Sequence, residues 1–271
     1  MKTRIIVGAI GIAALSVVVF AMPAWVLGVV IGALCAIGTL EFMSCTKPDV
    51  PKRIPVITGL LSAVIPISVS MGGRDVWTDA AFFLLLSYLY AELMISFKDE
   101  KTLGWELVGS GILAGFVFPW CLSSIVRLAV MGKAFVVIPF LVAFASDSFA
   151  YFAGVTLGKH KLAPVLSPKK SIEGSIGGFL GTVAVMLIYG LAVKGMDYQV
   201  RFGILAIYGF LGSLACQFGD LSFSAVKRIA GVKDYGNLLP GHGGVYDRFD
   251  GMVFVAILIE ILLRWVPAVI G

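Results

Sequence analysis

The chain has 271 residues, of which 59% are hydrophobic and only 14% are charged, and its mean hydropathy is +0.99. A soluble domain carries roughly 25% charged residues, so this composition excludes an ordinary soluble protein and indicates one that crosses a membrane repeatedly. The net charge of +5 comes from basic residues in predicted loops, where lipid headgroups and nucleotide phosphates are the expected partners and nucleic acid is not.

Nine charge-poor runs follow one another along the chain, and each has about the length that a helix needs to cross a bilayer. They lie at about residues 5–21, 23–41, 54–71, 78–97, 105–123, 134–153, 174–193, 202–220 and 251–270. The predicted fold is therefore an all-α, polytopic bundle of about nine transmembrane helices.

The basic residues between these runs predict the orientation, since Lys and Arg are enriched in cytoplasmic loops. When alternate loops are assigned to opposite sides, 15 of the 21 basic residues fall on the side of the N-terminus. We therefore expect the N-terminus inside and the C-terminus outside, in the cytoplasmic membrane if the source is a bacterium. Residues 1–23 have the charge and hydrophobicity of a secretory signal, but an uncleaved first span suffices because the rest of the chain is polytopic.

The two halves of the chain differ in where their polar residues lie. Residues 1–130 are mostly apolar, with Glu41 and Glu92 as exceptions that either cap or snorkel at a span end or face a polar cavity. From residue 144 onward, polar residues gather at 146–175, 216–234 and 240–251, all on the predicted cytoplasmic side. We therefore expect residues 1–130 to be a transmembrane scaffold and residues 131–271 to hold the catalytic region.

The first polar cluster combines an acidic helix face with a basic loop. Asp147 and Tyr151 are four residues apart, so a helix puts them on one face, where the carboxylate either enters a wet site or pairs with a basic residue that holds the bundle. Lys169 and Lys170 then precede Ser171, which can cap the next helix. A helix N-terminus beside two lysines is typical of an anion site, although an ordinary basic cytoplasmic loop has the same composition.

The second cluster lies where the eighth run reaches the predicted membrane surface. Asp220, Ser224, Lys227 and, less closely, Arg228 fall on one helical face. A carboxylate one turn from a hydroxyl and two turns from paired cations suits a metal-bound polyphosphate, because the metal takes oxygen ligands and the cations take the remaining phosphate charge.

The third cluster is a glycine-rich loop with charges on both sides. Lys233 precedes it, and His242 stands beside Gly243 and Gly244, whose bare backbone can approach a phosphate. A lone histidine is usually structural, and contact with substrate phosphate is the competing interpretation here. The charged residues that follow are Asp247, Arg248 and Asp250. No zinc or redox pattern is present, so the carboxylates favour Mg²⁺ or Mn²⁺.

The run from Ser224 to Asp250 closely resembles the signature of the phosphatidate cytidylyltransferase, or CDP-diacylglycerol synthase, family. It reads S-x-V-K-R-x4-K-D-x-G-x2-L-P-x-H-G-G-V-x-D-R-F-D. Upstream, the segments around Asp147 to Gly154 and Ser167 to Gly174 are also similar to that family. Ser171 stands where threonine is common, a departure that keeps the hydroxyl.

The resemblance implies an enzyme that joins CTP to phosphatidic acid, gives CDP-diacylglycerol and pyrophosphate, and works as a homodimer with a divalent metal ion. The implied metal ligands are Asp220, Asp247, Asp147 and Asp250. The implied catalytic residues are Asp220, Asp247, Lys170 and Arg228. The implied substrate-binding residues are Lys169, Ser171, Ser224, Lys227, Lys233, His242, Gly243, Gly244, Arg248 and Tyr151.

Two other functions share part of this pattern. A CTP-dependent lipid kinase of the polyprenol or phytol type would also need apolar spans and a CTP site, but it would produce a phosphorylated lipid alcohol and CDP. An ion-coupled transporter would use Asp147, Asp220 and Glu173 as a relay, and it predicts polar residues at several depths. The polar residues here gather at one end, which argues against the transporter. The complete 27-residue signature favours the transferase of phospholipid synthesis over the kinase.

Overall fold

The computed structural model describes residues 16–72, 76–97, 103–236 and 243–270. Most of them are helical and the strands are very short, which confirms the predicted all-α membrane bundle. The long helices of the described residues are α1 Ala24–Thr46, α2 Arg53–Ser70, α3 Val76–Ser96, α4 Glu106–Met131, α5 Lys133–Leu157, α6 Ile172–Lys194, α7 Phe202–Ile229 and α8 Tyr246–Trp265. Residues 16–21 are also helical.

Seven helices, α1 to α7, are long and apolar enough to cross a membrane. They correspond to the second through eighth predicted runs, so the chain is an integral membrane protein. Most of the first predicted run lies outside the described residues. Helix α8 covers much of the ninth run and has charged residues near both of its ends, so the full count of nine spans stays a prediction.

The described residues form two compact units, one within residues 1–130 and 229–249 and the other within residues 131–228 and 250–271. The sequence predicted a scaffold up to residue 130 and a catalytic region beyond it. That division is one of function, which the compactness of the two units does not test, so it stays a prediction.

The first unit is held together by close helix contacts and a buried aromatic group. Helices α1 and α2 approach so closely that a Cβ atom on Gly59 would lie 2.8 Å from the Ala36 carbonyl oxygen. The rings of Phe42, Phe118 and Tyr246 make edge-to-face contacts with centroids 5.3 to 6.4 Å apart, and such pairs contribute about 0.5–1.5 kcal/mol each beyond their burial. These contacts fix the start of α8.

A π-helical turn at Leu113–Val117 interrupts α4. The Ala114 carbonyl oxygen in this turn accepts hydrogen bonds from Thr39 Oγ1 at 2.7 Å and from Tyr246 Oη at 3.3 Å. A π turn disturbs the regular helical bonding pattern. Here the carbonyl group accepts hydrogen bonds from side chains of α1 and α8.

One of the two unusual acidic residues of the scaffold lies in an ion pair. Glu92, only 6% exposed, accepts two hydrogen bonds from the Arg53 guanidinium, at 3.0 and 2.8 Å. This bidentate contact joins α2 to α3 and compensates the charge of the buried carboxylate. Its partner could not be read from the sequence, because the two residues are 39 positions apart.

In the second unit, α5 and α6 pack through glycines. A Cβ atom on Gly174 would lie 2.7 Å from the Ala150 carbonyl oxygen and 3.2 Å from Gly154 Cα. Membrane helices use small residues in this way because lipid provides no hydrophobic force between them and packing must replace it. The first turn of α6 therefore lies directly against α5.

Two small antiparallel sheets complete the described structure, and neither was predicted. Strands β1 Lys161–Ala163 and β2 Ser167–Ser171 form a hairpin between α5 and α6, with Lys161 opposite Ser171. Strands β3 Gln199–Val200 and β4 Val269–Ile270 pair near the ends of α7 and α8. Segments of two to five residues are too short to give a detectable period of hydrophobicity.

Candidate active site

A cavity of about 520 Å³ lies in the second unit, at the end of α6 where the hairpin joins it. Its lining combines lysines, carboxylates, hydroxyls and glycines with a few apolar side chains. The lining residues are Asp147, Ala150, Tyr151, Gly154, Val155, Lys161, Leu162, Lys169, Lys170, Ser171, Gly174, Ser175, Gln217 and Asp220. Residues 147–175 and residues 217–220, which are distant in sequence, thus contribute to one cavity.

The hairpin and the α6 N-terminus place the lysine pair. Ser171 is the N-cap of α6, and its Oγ accepts a hydrogen bond from the Gly174 N–H at 3.1 Å, which confirms the predicted cap. Strand β2 ends at this cap, so Lys169 and Lys170 stand immediately before the helix. The positive end of the helix dipole and two ammonium groups therefore act together on any anion in the cavity.

Asp220 connects α7 to this basic loop. Its Oδ2 forms an ion pair with Lys170 Nζ, and the two side chains are 29% and 25% exposed. Its Oδ1 accepts a hydrogen bond from Ser224 Oγ at 3.4 Å, one helical turn further on. The carboxylate is therefore both an anchor for the lysine and an oxygen donor that faces the cavity.

The rest of the α7 cluster continues beyond the cavity. Helix α7 runs without a break through Arg228, as predicted, and the Arg228 Nε donates to the Leu166 carbonyl in the hairpin at 3.4 Å. Lys227 is buried. Asp250, at the start of α8, lies within electrostatic range of Asp220, Lys227 and Asp147. The second unit thus gathers carboxylates and cations from α5, α7 and α8.

Gln217 and Ser175 line the cavity and form a hydrogen-bonded network that the sequence analysis did not predict. Ser175 Oγ donates to Gln217 Oε1, and Gln217 Nε2 donates to the Ser175 carbonyl and to Ser213 Oγ, both at 3.2 Å. Ser213 Oγ in turn lies 2.8 Å from Ser146 Oγ. The signal that could have found this network is an amide side chain inside an apolar span, because such a group needs partners.

Asp247 has a different environment, in the first unit. It is 9% exposed, and its Oδ2 accepts hydrogen bonds from the Tyr235 N–H at 2.7 Å and the Gly244 N–H at 2.9 Å. Gly243 has a φ of +83°, which a residue with a side chain rarely adopts. A Cβ atom there would also lie 3.0 Å from Asp247 Oδ2. In this unit the carboxylate organises the backbone of the glycine-rich loop.

Glu41 takes part in the same loop, although the sequence placed it in the scaffold. Its Oε2 accepts a hydrogen bond from the Val245 N–H at 2.7 Å, and Gly236 and Gly244 pass so close to its carboxylate that neither has room for a side chain. This contact joins positions 204 residues apart, so no local pattern could reveal it. The Glu41 carboxylate therefore binds the backbone just before α8, and the two interpretations of Glu41 made from the sequence stay predictions.

The remaining predicted residues are partly described. Lys233 and Arg248 are exposed in the first unit. His242 lies outside the described residues, so its predicted contact with phosphate stays a prediction. Three of the four predicted metal ligands, Asp147, Asp220 and Asp250, belong to the second unit, and Asp247 belongs to the first.

The carboxylates of the second unit can be compared with what a metal ion needs. Among the described residues, no three His, Cys, Asp or Glu side chains are arranged as a ready metal site. Magnesium usually needs only one or two carboxylates, because substrate phosphates and water supply its other ligands. Asp147 and Asp220, which both line the cavity, are oxygen donors of the kind that such a site uses.

Comparison with known proteins agrees with these observations. The model of the cytidylyltransferase family matches residues 2–266. The phosphatidate cytidylyltransferase of Staphylococcus saprophyticus is 38% identical over 209 residues, which cover 76% of each chain. The protein of that name from Staphylococcus epidermidis is 38% identical over 76% of this chain and 79% of its own length. That from Staphylococcus aureus is 40% identical over 68% of this chain and 67% of its own.

Proposed function

The chain belongs to the cytidylyltransferase family, and we infer from this premise that it is an enzyme which joins CTP to phosphatidic acid, giving CDP-diacylglycerol and pyrophosphate. The family and the nucleotidyltransferase class expected from the signature are thereby confirmed. The observation that carries the proposal is the cavity at the N-terminus of α6, where the Lys169–Lys170 pair meets the Asp220 carboxylate.

The reaction exchanges one phosphorus–oxygen bond for another. A phosphate oxygen of phosphatidic acid attacks the α-phosphorus of CTP, and the bond from that phosphorus to the β-phosphate bridging oxygen breaks as pyrophosphate leaves. A phosphomonoester carries about −1.5 to −2 charge at pH 7, so the nucleophile needs no strong general base. The difficulty is to bring two polyanions together and to stabilise charge on the leaving group.

The residues of the cavity suit that task. We propose that Lys169, Lys170 and the α6 N-terminus bind phosphate oxygens, while Asp220 keeps the Lys170 ammonium oriented toward them. Arg228, held against the hairpin by the Leu166 carbonyl, would add charge at the edge of the site. Lys227 would balance Asp250.

We further propose that Mg²⁺ or Mn²⁺ acts with these residues. Asp220 and Asp250 would hold the ion, and Asp147, which lines the cavity with Asp220, is a further candidate. Asp247, in the first unit, stays a ligand proposed from the signature alone. When bound, the ion would neutralise phosphate charge on CTP and on the departing pyrophosphate. The chain's own part is to supply oxygen donors beside fixed cations.

The membrane setting suits a lipid substrate. Phosphatidic acid stays in the bilayer, and the cavity lies at the ends of spans α5, α6 and α7, where a headgroup can enter without leaving the membrane. We propose that this end faces the cytoplasm, where CTP is available. We also keep the homodimer implied by the family resemblance as a proposal.

Two positions of label in CTP test the function. Purified protein is incubated with phosphatidic acid, Mg²⁺ and CTP labelled either at the α- or at the γ-phosphate, and the lipids are then extracted. The proposal expects the α-label in the lipid and the γ-label in pyrophosphate. In a parallel incubation, a lipid alcohol replaces phosphatidic acid, and γ-label in the extracted lipid would then indicate the kinase. The absence of labelled lipid in both incubations would favour the transporter.

A further inference from the structure

A third lysine lines the cavity and does not belong to the signature. Lys161 is the first residue of β1, and its main chain pairs with that of Ser171, the N-cap of α6. Its side chain is exposed and contributes to the cavity wall together with Lys169 and Lys170. The cavity therefore carries one more positive charge than the signature requires.

The charge of Lys161 is available to a ligand. Lys170 is already paired with Asp220. Within the part of the chain that the structure describes, Lys161 has no carboxylate at ion-pair distance. An uncompensated ammonium group on a cavity wall attracts phosphate more strongly than one that shares its charge with a carboxylate.

The hairpin that presents Lys161 lies at the membrane surface. Only residues 158–171 separate α5 from α6, and both helices are candidate spans. Leu157, Val165 and Ile172 are exposed around this short connection, at 64%, 85% and 44%. Exposed apolar side chains beside a lysine are typical of the interface where lipid headgroups lie.

The apolar part of the cavity lining is next to the same lysine. Leu162 follows Lys161 directly, and Val155 lies two residues before the end of α5. Both side chains line the cavity. An amphiphile with a phosphate headgroup matches this neighbourhood of charge and apolar surface better than a nucleotide does.

A carboxylate clamp fixes the backbone just before Lys161. Glu173, in the first turn of α6, accepts hydrogen bonds from the N–H groups of Lys159 and His160 at 3.1 and 3.2 Å. Its Oε1 also lies 2.6 Å from His160 Nδ1. The start of β1 is therefore held to α6 at two points, by Glu173 just before the strand and by the pairing of Lys161 with Ser171. These two contacts fix the position from which the Lys161 side chain extends.

We propose that Lys161 binds the phosphate of the lipid substrate, on the side of the cavity that faces the headgroup region. The proposal rests on the proposed function, because it assigns one substrate of that reaction to one residue. Lys169 and Lys170 remain with the nucleotide in this scheme. Glu173 is a positioning residue that acts through the His160 backbone.

The test compares Lys161→Ala with Lys159→Ala in detergent–lipid mixed micelles. Lys159 is also exposed and two residues away, but its side chain does not line the cavity. We expect Lys161→Ala to raise the apparent KM for phosphatidic acid roughly tenfold, the size expected for one charge-assisted hydrogen bond, and to leave the KM for CTP within about twofold. Lys159→Ala should match the wild type, and Lys161→Arg should recover most of the affinity for lipid.

Several results would overturn the assignment. An unchanged KM for phosphatidic acid, or an increase confined to CTP, would remove Lys161 from the lipid side. Equal changes in Lys161→Ala and Lys159→Ala would indicate general surface charge. If Lys161→Ala does not accumulate, Lys161→Gln keeps the length of the side chain and gives the same comparison. A wild-type protein that forms no CDP-lipid would refute the proposed function itself, whereas failure of the lysine variants alone leaves that function standing.

Discussion

At Asp220, a single carboxylate has two partners within the second unit. Oδ2 pairs with Lys170 and Oδ1 accepts from Ser224. Exposed ion pairs contribute little to stability, typically about 0–1 kcal/mol, and this pair is partly exposed. The ion pair therefore contributes little to the stability of the fold, and its main effect is to keep a cation and an oxygen ligand side by side in the cavity.

Replacement of Asp220 by Asn should affect catalysis far more than folding. The amide keeps the shape but loses the charge that orients Lys170 and that would hold a metal ion, so we expect turnover to fall by about 100-fold or more. Asp197→Asn is the matched control. Asp197 lies beyond the far end of α6 and has a φ of +66°, a conformation that Asn tolerates well. If Asp220→Asn and the wild type show comparable turnover, measured with α-labelled CTP, Asp220 is not a catalytic residue.

Lys170 permits a second comparison along the same helix. Lys170→Ala removes an ammonium group beside the α6 N-terminus, whereas Lys194→Ala removes one from the last turn, about 34 Å away for a 23-residue helix. We expect kcat/KM for CTP to fall about tenfold to 100-fold in the first variant, as for loss of one charge-assisted bond, and to change little in the second. Equal losses would mean that the lysines act only through the overall membrane charge.

Ser224 is the hydroxyl that a covalent mechanism would need. Its Oγ is a donor to Asp220, and Asp220 is the group placed to accept its proton. If Asp220 is committed to Lys170 and metal, no other base among the described residues is hydrogen-bonded to Ser224, and we expect that a cytidylyl-serine intermediate does not form. Ser224→Ala should then reduce kcat severalfold without abolishing it. Acid-stable label on the protein after incubation with α-labelled CTP in the absence of lipid, lost in the variant, would contradict direct transfer.

At the scale of elements, the cavity depends on how closely α6 approaches α5. The sequence predicted both helices from their apolar runs and predicted the Ser171 cap from the residue type before the run. It could not predict which faces meet, because these spans are apolar on every side and give no preferred direction. The polar contact of Gln217 with Ser175 and the hairpin that carries Lys161 follow from that packing, so both were missed.

A methyl group at Gly174 should disturb this packing. Its Cβ would lie 2.7 Å from the Ala150 carbonyl oxygen, so α5 and α6 must separate, and we expect a loss of about 1–3 kcal/mol of stability with lower activity. Gly203→Ala, in the first turn of α7, is the control because nothing lies within 4 Å of its Cβ position. That variant should be neutral or gain up to about 1 kcal/mol from helix propensity. Thermal unfolding in detergent measures both, and an equally stable Gly174→Ala would show that the contact is not tight.

At the scale of the whole molecule, composition alone predicted a membrane protein, and seven of the described helices satisfy that prediction. The second through eighth predicted runs lie where helices are found, and α7 continues nine residues past the end of its apolar run at residue 220. This extension carries Ser224, Lys227 and Arg228, and polar residues can continue a helix into water as readily as apolar ones. Contacts such as Glu41 with Val245 join opposite ends of the chain and are beyond any local pattern.

The asymmetry of basic residues makes a prediction about orientation that labelling can test. In a background without native cysteines, single cysteines are placed at Val165 in the hairpin, at Met196 between α6 and α7, and at Ile229 at the end of α7. These three positions are 85%, 68% and 87% exposed. Because one span separates each from the next, an impermeant maleimide should label Val165→Cys and Ile229→Cys only from the cytoplasmic face and Met196→Cys only from outside. A reporter after the last residue should read external if the ninth run spans the membrane, and cytoplasmic if α8 does not cross. Labelling of Val165→Cys from outside would reverse the orientation and separate the cavity from the compartment that holds CTP.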